Sequence, residues 1–238
     1  MKLALLGYGK MGQEIEKAAL ERKHTIALVI DINNQHEFTI ENLNKADVAI
    51  DFSTPSSAVR NINTCFEAGI PIVCGTTGWN NELEKITAIC KEKNQALFYS
   101  SNFSIGVNIL FAVNEYLADI MNKFGQYDVS IEETHHTQKL DSPSGTAISI
   151  ADQVIAHLER KHKWSLENND QPENLAIKAI REGDIKGIHE IRYESEEDYL
   201  TLKHFAKSRK GFALGAVLAA EYIKSRKGIF TMRDLLGL

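Results

Sequence analysis

The chain has 238 residues, 43% of them hydrophobic and 25% charged, with a formal net charge of -5. This is the composition of a folded protein of one large or two small domains, and its acidic balance argues against a nucleic-acid-binding surface. No segment reads as a membrane span, and Cys65, Cys74 and Cys90 are too widely spaced for a disulfide framework or a zinc site, so a reduced, cytoplasmic protein is expected.

The apolar run at residues 2–6 is too short for a signal peptide and leads straight into a glycine motif, so it reads as a strand. Residues 11–22 have helical spacing, 25–31 and 47–51 are β-branched and apolar, and Pro55 opens a helix to 68. A strand at 70–74, a charged helix at 80–93 and a strand at 96–99 follow, while 33–45 is polar, with at most a short helix. This alternation predicts a parallel sheet covered by helices.

Ser104 caps a predicted helix to about 123, whose apolar face carries Ile105, Ile109, Phe111, Val113 and Leu117. The pattern then changes. Residues 127–134 alternate as a strand, 144–161 are helical, and 164–174 are polar and loop-like. Strand patterns at 175–181, 187–194 and 199–205 come close together, which predicts a second, mixed or antiparallel sheet. An alanine-rich helix is expected at 211–224.

Gly7-Tyr8-Gly9-Lys10-Met11-Gly12 matches G-x-G-x-x-G between a predicted strand and a predicted helix. Gly7 allows the tight turn, Gly9 the approach of a pyrophosphate, and Gly12 close packing of helix on strand, while the helix N-terminus favours the negative charge. Asp31 closes the second strand, where a carboxylate accepts hydrogen bonds from a ribose and repels a 2′-phosphate, so NADH is favoured over NADPH. The plainer readings are a ligand-free turn, a carboxylate capping a strand end, and for Lys10 a solvated helix-start lysine. Further loops at predicted strand ends, Phe52-Ser53-Thr54-Pro55, Gly75-Thr76-Thr77-Gly78-Trp79 and Ser100-Ser101-Asn102-Phe103, offer hydroxyls and backbone amides to the same ligand.

The stretch from Glu132 to Thr146 holds the densest chemistry. His135 and His136 point to opposite faces if the strand runs through them, so that one enters a site and the other packs; a turn after Thr134 would let both contribute. Lys139 can return to the same space, and both residue types donate protons to developing negative charge. Ser142-Pro143-Ser144-Gly145-Thr146 reads as a helix start that suits a carboxylate. Each piece alone has a dull explanation: a structural histidine, a solvated lysine, a helix cap. Glu132 and Glu133 alternate on the strand, so at least one is expected at the surface. No H-E-x-x-H pattern points to zinc. The residues together describe a nicotinamide-dependent enzyme acting on a small carboxylate.

These motifs resemble the 4-hydroxy-tetrahydrodipicolinate (dihydrodipicolinate) reductase family. The likeness lies in the glycine loop ending Lys10-Met11-Gly12, in Gly75-Thr76-Thr77-Gly78, and in the run Ser101-Asn102-Phe103-Ser104-Ile105-Gly106-Val107-Asn108. It lies also in Glu133-Thr134-His135-His136 with Lys139, Asp141, Pro143 and Ser144-Gly145-Thr146-Ala147, and in the ending Gly228-Ile229-Phe230-Thr231-Met232-Arg233-Asp234-Leu235-Leu236. The resemblance covers nearly the whole chain. It implies an α/β protein with a Rossmann-like dinucleotide-binding domain at 1–103 and 212–238. A central α+β substrate and tetramerisation domain with a mixed sheet is implied at 104–211. It implies hydride transfer to C4 of a cyclic dicarboxylate in the diaminopimelate route to lysine, by a homotetramer. By resemblance His135 handles the proton and Lys139 donates it, His136, Gly145 and Thr146 bind substrate carboxylates, and Gly75, Thr76, Thr77, Ser100, Ser101, Asn102 and Phe103 contact the cofactor with the glycine loop. The loop is one residue shorter than the common Gly-x-Gly-Gly-x-Met-Gly form, and Asp31 is followed by Ile32 rather than by a basic residue. An aspartate- or homoserine-type dehydrogenase, or a non-catalytic NAD sensor, would share the glycine loop but not the histidine–lysine segment.

Overall fold

The computed structural model describes residues 1–166 and 171–238. Their elements run β1 (Lys2–Leu6), α1 (Lys10–Glu21), β2 (Thr25–Ile30), α2 (Ile40–Leu43), β3 (Val48–Asp51), α3 (Pro55–Glu67), β4 (Ile72–Cys74), α4 (Leu83–Glu92) and β5 (Ala96–Tyr99). Then come α5 (Ile105–Met121), β6 (Asp128–His135), α6 (Gly145–His157), β7 (Lys163–Leu166), β8 (Asn174–Arg181), β9 (Ile188–Glu194), β10 (Tyr199–Phe205), α7 (Lys210–Ile223), β11 (Gly228–Phe230) and α8 (Met232–Leu236). The chain divides into two compact units, residues 1–105 with 209–238, and residues 106–208.

The first unit holds a parallel sheet in the order β11-β5-β4-β3-β1-β2. Its central strands β1, β3 and β4 are buried at every position but Lys2, and apolar apart from Lys2 and Asp51, because helices cover both faces. One face packs under α3 and α4 through Ile62, Phe66, Ile86 and Cys90. The other packs under α1 and α7, where Ile15 and Ala19 meet a row of alanines. The small residues of α7 have a steric cause: a Cβ on Gly215 would lie 1.8 Å from the backbone oxygen of Phe103. Only glycine lets this helix lie so close to the chain beneath it. Pro55 opens α3 as expected, and Thr54 caps it, the Ser57 hydroxyl reaching back to the Thr54 N–H at 3.3 Å.

The second unit holds a mixed sheet in the order β10-β9-β6-β8-β7. β6 runs parallel to β8 and antiparallel to β9. Val129, Ile131, Ile177, Ile191 and Tyr193 face Ile150, Ala151 and Val154 of α6.

Four expectations need correction. The loop expected at 164–174 begins as a strand, β7, paired with β8; part of that stretch, 167–170, lies outside the described residues. Helix α6 stops at His157 rather than 161, because Leu158 is extended and Lys161 turns inward. There the Lys161 ammonium, buried, donates to the Pro172 and Asn174 carbonyls at 2.6 and 2.9 Å and meets Asp128 at 2.7 Å. The helix expected at 80–93 starts as a 3-10 turn at Asn80–Glu82. The tail adds an edge strand, β11, whose three residues are too few for a period to show in sequence.

Candidate active site

In the first unit the register places Leu6, Asp51, Cys74 and Tyr99 level across the sheet. The loops that follow them therefore leave from one edge, where open α/β sheets bind ligands. A cavity of about 560 Å³ opens there, lined by Gly7, Tyr8, Gly9, Asp31, Ile32, Phe52, Ser53 and Thr54 among others. Gly7 turns with φ +94, and a Cβ there would strike the Phe52 oxygen at 2.2 Å. A Cβ on Gly12, at the buried start of α1, would strike the Gly7 oxygen at 2.3 Å. A Cβ on Gly9 would meet nothing within 4 Å. The first and third glycines thus serve the protein's own packing, and the second leaves open space at the N-terminus of α1. That is the division of labour a pyrophosphate site needs, and the residues fit a dinucleotide.

Lys10 is exposed and Met11 half-buried on α1. The Tyr8 hydroxyl donates to Glu16, which raises the pKa of the phenol. Asp31 does two things at once. Its Oδ1 accepts from the Asn33 N–H at 2.7 Å, the strand-end cap of the plainer reading, while the residue lines the cavity and its Oδ2 has no partner among the described residues.

The Gly75-to-Thr77 and Ser100-to-Phe103 loops sit at the same edge with mixed duties. Thr77 and Ser101 are exposed. Gly75 lies against the Phe52 ring, and Phe103 is core. The Ser100 hydroxyl bonds within its own turn, donating to the Asn102 oxygen at 2.8 Å. The Thr76 hydroxyl turns inward, donating to Asp51 Oδ2 at 2.7 Å and accepting from the Ser53 N–H at 2.9 Å. Asp51, fully buried, also accepts from Ser53 Oγ at 2.7 Å and Asn61 Nδ2 at 2.9 Å. Burial pushes this carboxyl up, and the hydrogen bonds oppose the rise. Asp51 ties two of the edge loops together from below. In sequence it passed as the polar end of an apolar strand.

In the second unit β6 ends at His135, so the chain leaves the strand between the two histidines. His135 is buried and His136 half-buried at the start of the turn. Glu133 lies two residues before His135 on the same face, and His189 of β9 is its direct cross-strand neighbour. His135 Nδ1 and His189 Nε2 stand 3.3 and 3.7 Å from Glu133 Oε2, and the two rings meet edge to face at 5.1 Å. Glu133 Oε1 accepts from the Ser144 N–H at 2.9 Å and from Arg181 Nη2 at 3.0 Å. Burial alone would raise the Glu133 carboxyl, but His135, His189 and Ser144 overturn this and hold it well below the usual carboxylate range. Burial pushes the His189 imidazole down, against the pull of Glu133. Glu133, His135 and His189 offer ligand atoms within 4.8 Å of one another, yet the Arg181 guanidinium already supplies the cation on that carboxylate.

The turn after β6 is fastened to the sheet. Arg181 Nη2 also donates to the Asp141 carbonyl at 2.7 Å. The half-buried Lys139 bonds its ammonium to the Asp141 carboxylate at 2.8 Å, and despite burial that contact lowers the Asp141 carboxyl. Ser144 then caps α6, its Oγ accepting from the Ala147 N–H at 3.2 Å. Gly145 is exposed, with open space where a Cβ would be, and the first turn of α6 has no acidic residue. Thr146 follows, half-buried. The end of β6 and the short loop after it thus carry His135, His136, Lys139 and a helix start suited to carboxylates. Glu133 was seen in the sequence only as one of two alternating acids, and Glu132 is indeed the outward one, paired with Lys178. Arg181 and His189 carried no local signal, since strand pairing alone brings them in.

A family model described as "Dihydrodipicolinate reductase, N-terminus" matches residues 1–103, and one described as "Dihydrodipicolinate reductase, C-terminus" matches residues 106–236. A 4-hydroxy-tetrahydrodipicolinate reductase of Christiangramia forsetii is 49% identical over 100% of this chain and 98% of its own length. Another, of Staphylococcus carnosus, is 35% identical over 99% of each. Among solved structures, a dipicolinate-bound dihydrodipicolinate reductase of Paenisporosarcina sp. TG-14 shares the fold with a TM-score of 0.79, at 23% identity over 97% of both chains.

Proposed function

The chain belongs to the dihydrodipicolinate reductase family and is an NAD(P)H-dependent reductase of 4-hydroxy-tetrahydrodipicolinate in the diaminopimelate route to lysine; within that activity we propose how its residues divide the work. When bound, the nicotinamide supplies the hydride. His135 and Lys139 manage the proton that balances it, and His136, Gly145 and Thr146 hold the substrate's carboxylates. The observation that carries this reading is the fastened loop from His135 to Thr146, which offers proton donors and an anion-binding helix start within one turn of chain. Substrate carboxylates compete with Asp141 for the Lys139 ammonium, freeing it to donate.

NADH is the preferred reductant. Asp31 lines the cavity with one carboxylate oxygen that has no partner among the described residues, and the side chain of Ile32, 89% exposed, stands where a 2′-phosphate would need a cation. Purified protein given the product of the preceding dehydratase is expected to oxidise NADH with a higher kcat/KM than NADPH, and Asp31→Ser to narrow that ratio. A higher kcat/KM with NADPH overturns the Asp31 reading. No substrate-dependent oxidation of either cofactor overturns the reductase.

The protein assembles as a homotetramer through its mixed sheet, whose edge strand β10 leaves Tyr199, Leu200 and Phe205 exposed. Light scattering at micromolar concentration is expected to give four chain masses, and a monomer would refute it. The three free, buried cysteines suit a reducing cytoplasm, and no helix among the described residues is long and apolar enough to cross a membrane.

A further inference from the structure

Groups from four parts of the fold converge on Glu133, a fully buried carboxylate to which the reading above gives no task. His135 comes from the same strand, Arg181 from β8, His189 from β9 and the Ser144 N–H from the start of α6. The two carboxylate oxygens are divided between them. Oε1 takes the Ser144 N–H and Arg181, and Oε2 faces the two imidazoles.

We propose that Glu133 is a positioning residue that serves both halves of the reaction: through Oε2 it sets the tautomer and orientation of His135, and through Oε1 it holds the Ser144-to-Thr146 turn that receives the substrate's carboxylate. This rests on the assignment of His135, Gly145 and Thr146 made above. An ionised carboxylate only accepts hydrogen bonds, so the imidazole nitrogen turned towards it is the one that carries the hydrogen. His135 Nδ1 is that nitrogen, which leaves Nε2 for proton exchange with the reacting molecule. Nε2 lies beside Gly187, where a Cβ would stand 3.1 Å away. The Ser144 N–H is fixed by the same carboxylate, so proton handling and anion binding share one anchor.

The surroundings determine what loss of the charge does. Arg181 bears on the same oxygen as Ser144, Asp141 shares Arg181 through its carbonyl, Lys139 neutralises Asp141, and His204 of β10 pairs with His189 across the sheet. Without the Glu133 anion, Arg181 leaves a net positive field at His135. That field disfavours a further positive charge at the site, so the pH dependence of kcat/KM moves to lower pH.

Glu133→Gln tests the idea because an amide cannot do both jobs. With its oxygen towards Ser144, its NH2 opposes the imidazole hydrogens; flipped, it opposes the Ser144 N–H. The variant is expected to lose roughly 10²–10⁴-fold in kcat, to shift its pH profile downward, and to keep the NADH Kd of the parent. Glu132→Gln, on the outward face, is expected to match the parent. The tautomer is read independently in the unsubstituted protein, where ring ¹⁵N shifts should show neutral His135 protonated at Nδ1. An active parent enzyme whose Glu133→Gln variant keeps its kcat and pH profile, or whose neutral His135 is protonated at Nε2, overturns the inference. An inactive parent instead overturns the reductase reading beneath it.

Discussion

Lys139→Ala and His135→Ala are each expected to lower kcat by roughly 10²–10⁴-fold, the range for removing a general acid or base, while leaving the Kd for NADH within about twofold of the parent. The split follows from where the groups sit. Both belong to the second unit, and the cavity at the glycine turn is built from the first. Among the described residues the Lys139 ammonium pairs with the exposed Asp141 alone, so its removal costs little stability. His135 is buried, so His135→Gln, closer in size, serves as the companion variant. Steady-state kinetics with NADH titration by fluorescence separates the two effects. A loss of NADH affinity equal to the loss of kcat would show that these residues do not act on the substrate side.

The glycine loop offers the second large effect, and its three glycines should fail differently. Gly7→Ala places a Cβ 2.2 Å from the Phe52 oxygen at a φ of +94. Backbone strain and overpacking together should cost about 2–5 kcal/mol of folding stability. Gly12→Ala meets the Gly7 oxygen at 2.3 Å and belongs with it. Gly9→Ala enters open space, so it should unfold at the parent's denaturant midpoint yet bind NADH at least tenfold more weakly. Urea unfolding beside NADH titration for the three variants decides the matter. If Gly9→Ala bound NADH as the parent does, the pyrophosphate would not lie over this turn.

The reach of the local pattern is visible in particular residues. The glycine spacing, the helix opened by Pro55 and the alternation through β6 are imposed by neighbours a few residues away, so they were readable. The three-residue strand β11 and the short β7 were not, because each is a strand only by virtue of the partner it pairs with. The alanines of α7 marked a helix, but the reason for Gly215 lies in the oxygen of Phe103, far away in the chain.

The site divides along the same line. By itself the sequence determined which groups are available: a dinucleotide turn, an acidic residue at the second strand end, and a loop with His135, His136, Lys139 and a capped helix start. Each is a local arrangement whose chemistry travels with its spacing. Only the tertiary structure decided how they are held. The turn of the chain after His135 separates the two histidines, Asp51 draws Thr76 inward, and Arg181 and His189 arrive beside Glu133 on neighbouring strands. The physical reason is that buried charge must be paired, and a sheet pairs residues by register rather than by distance along the chain.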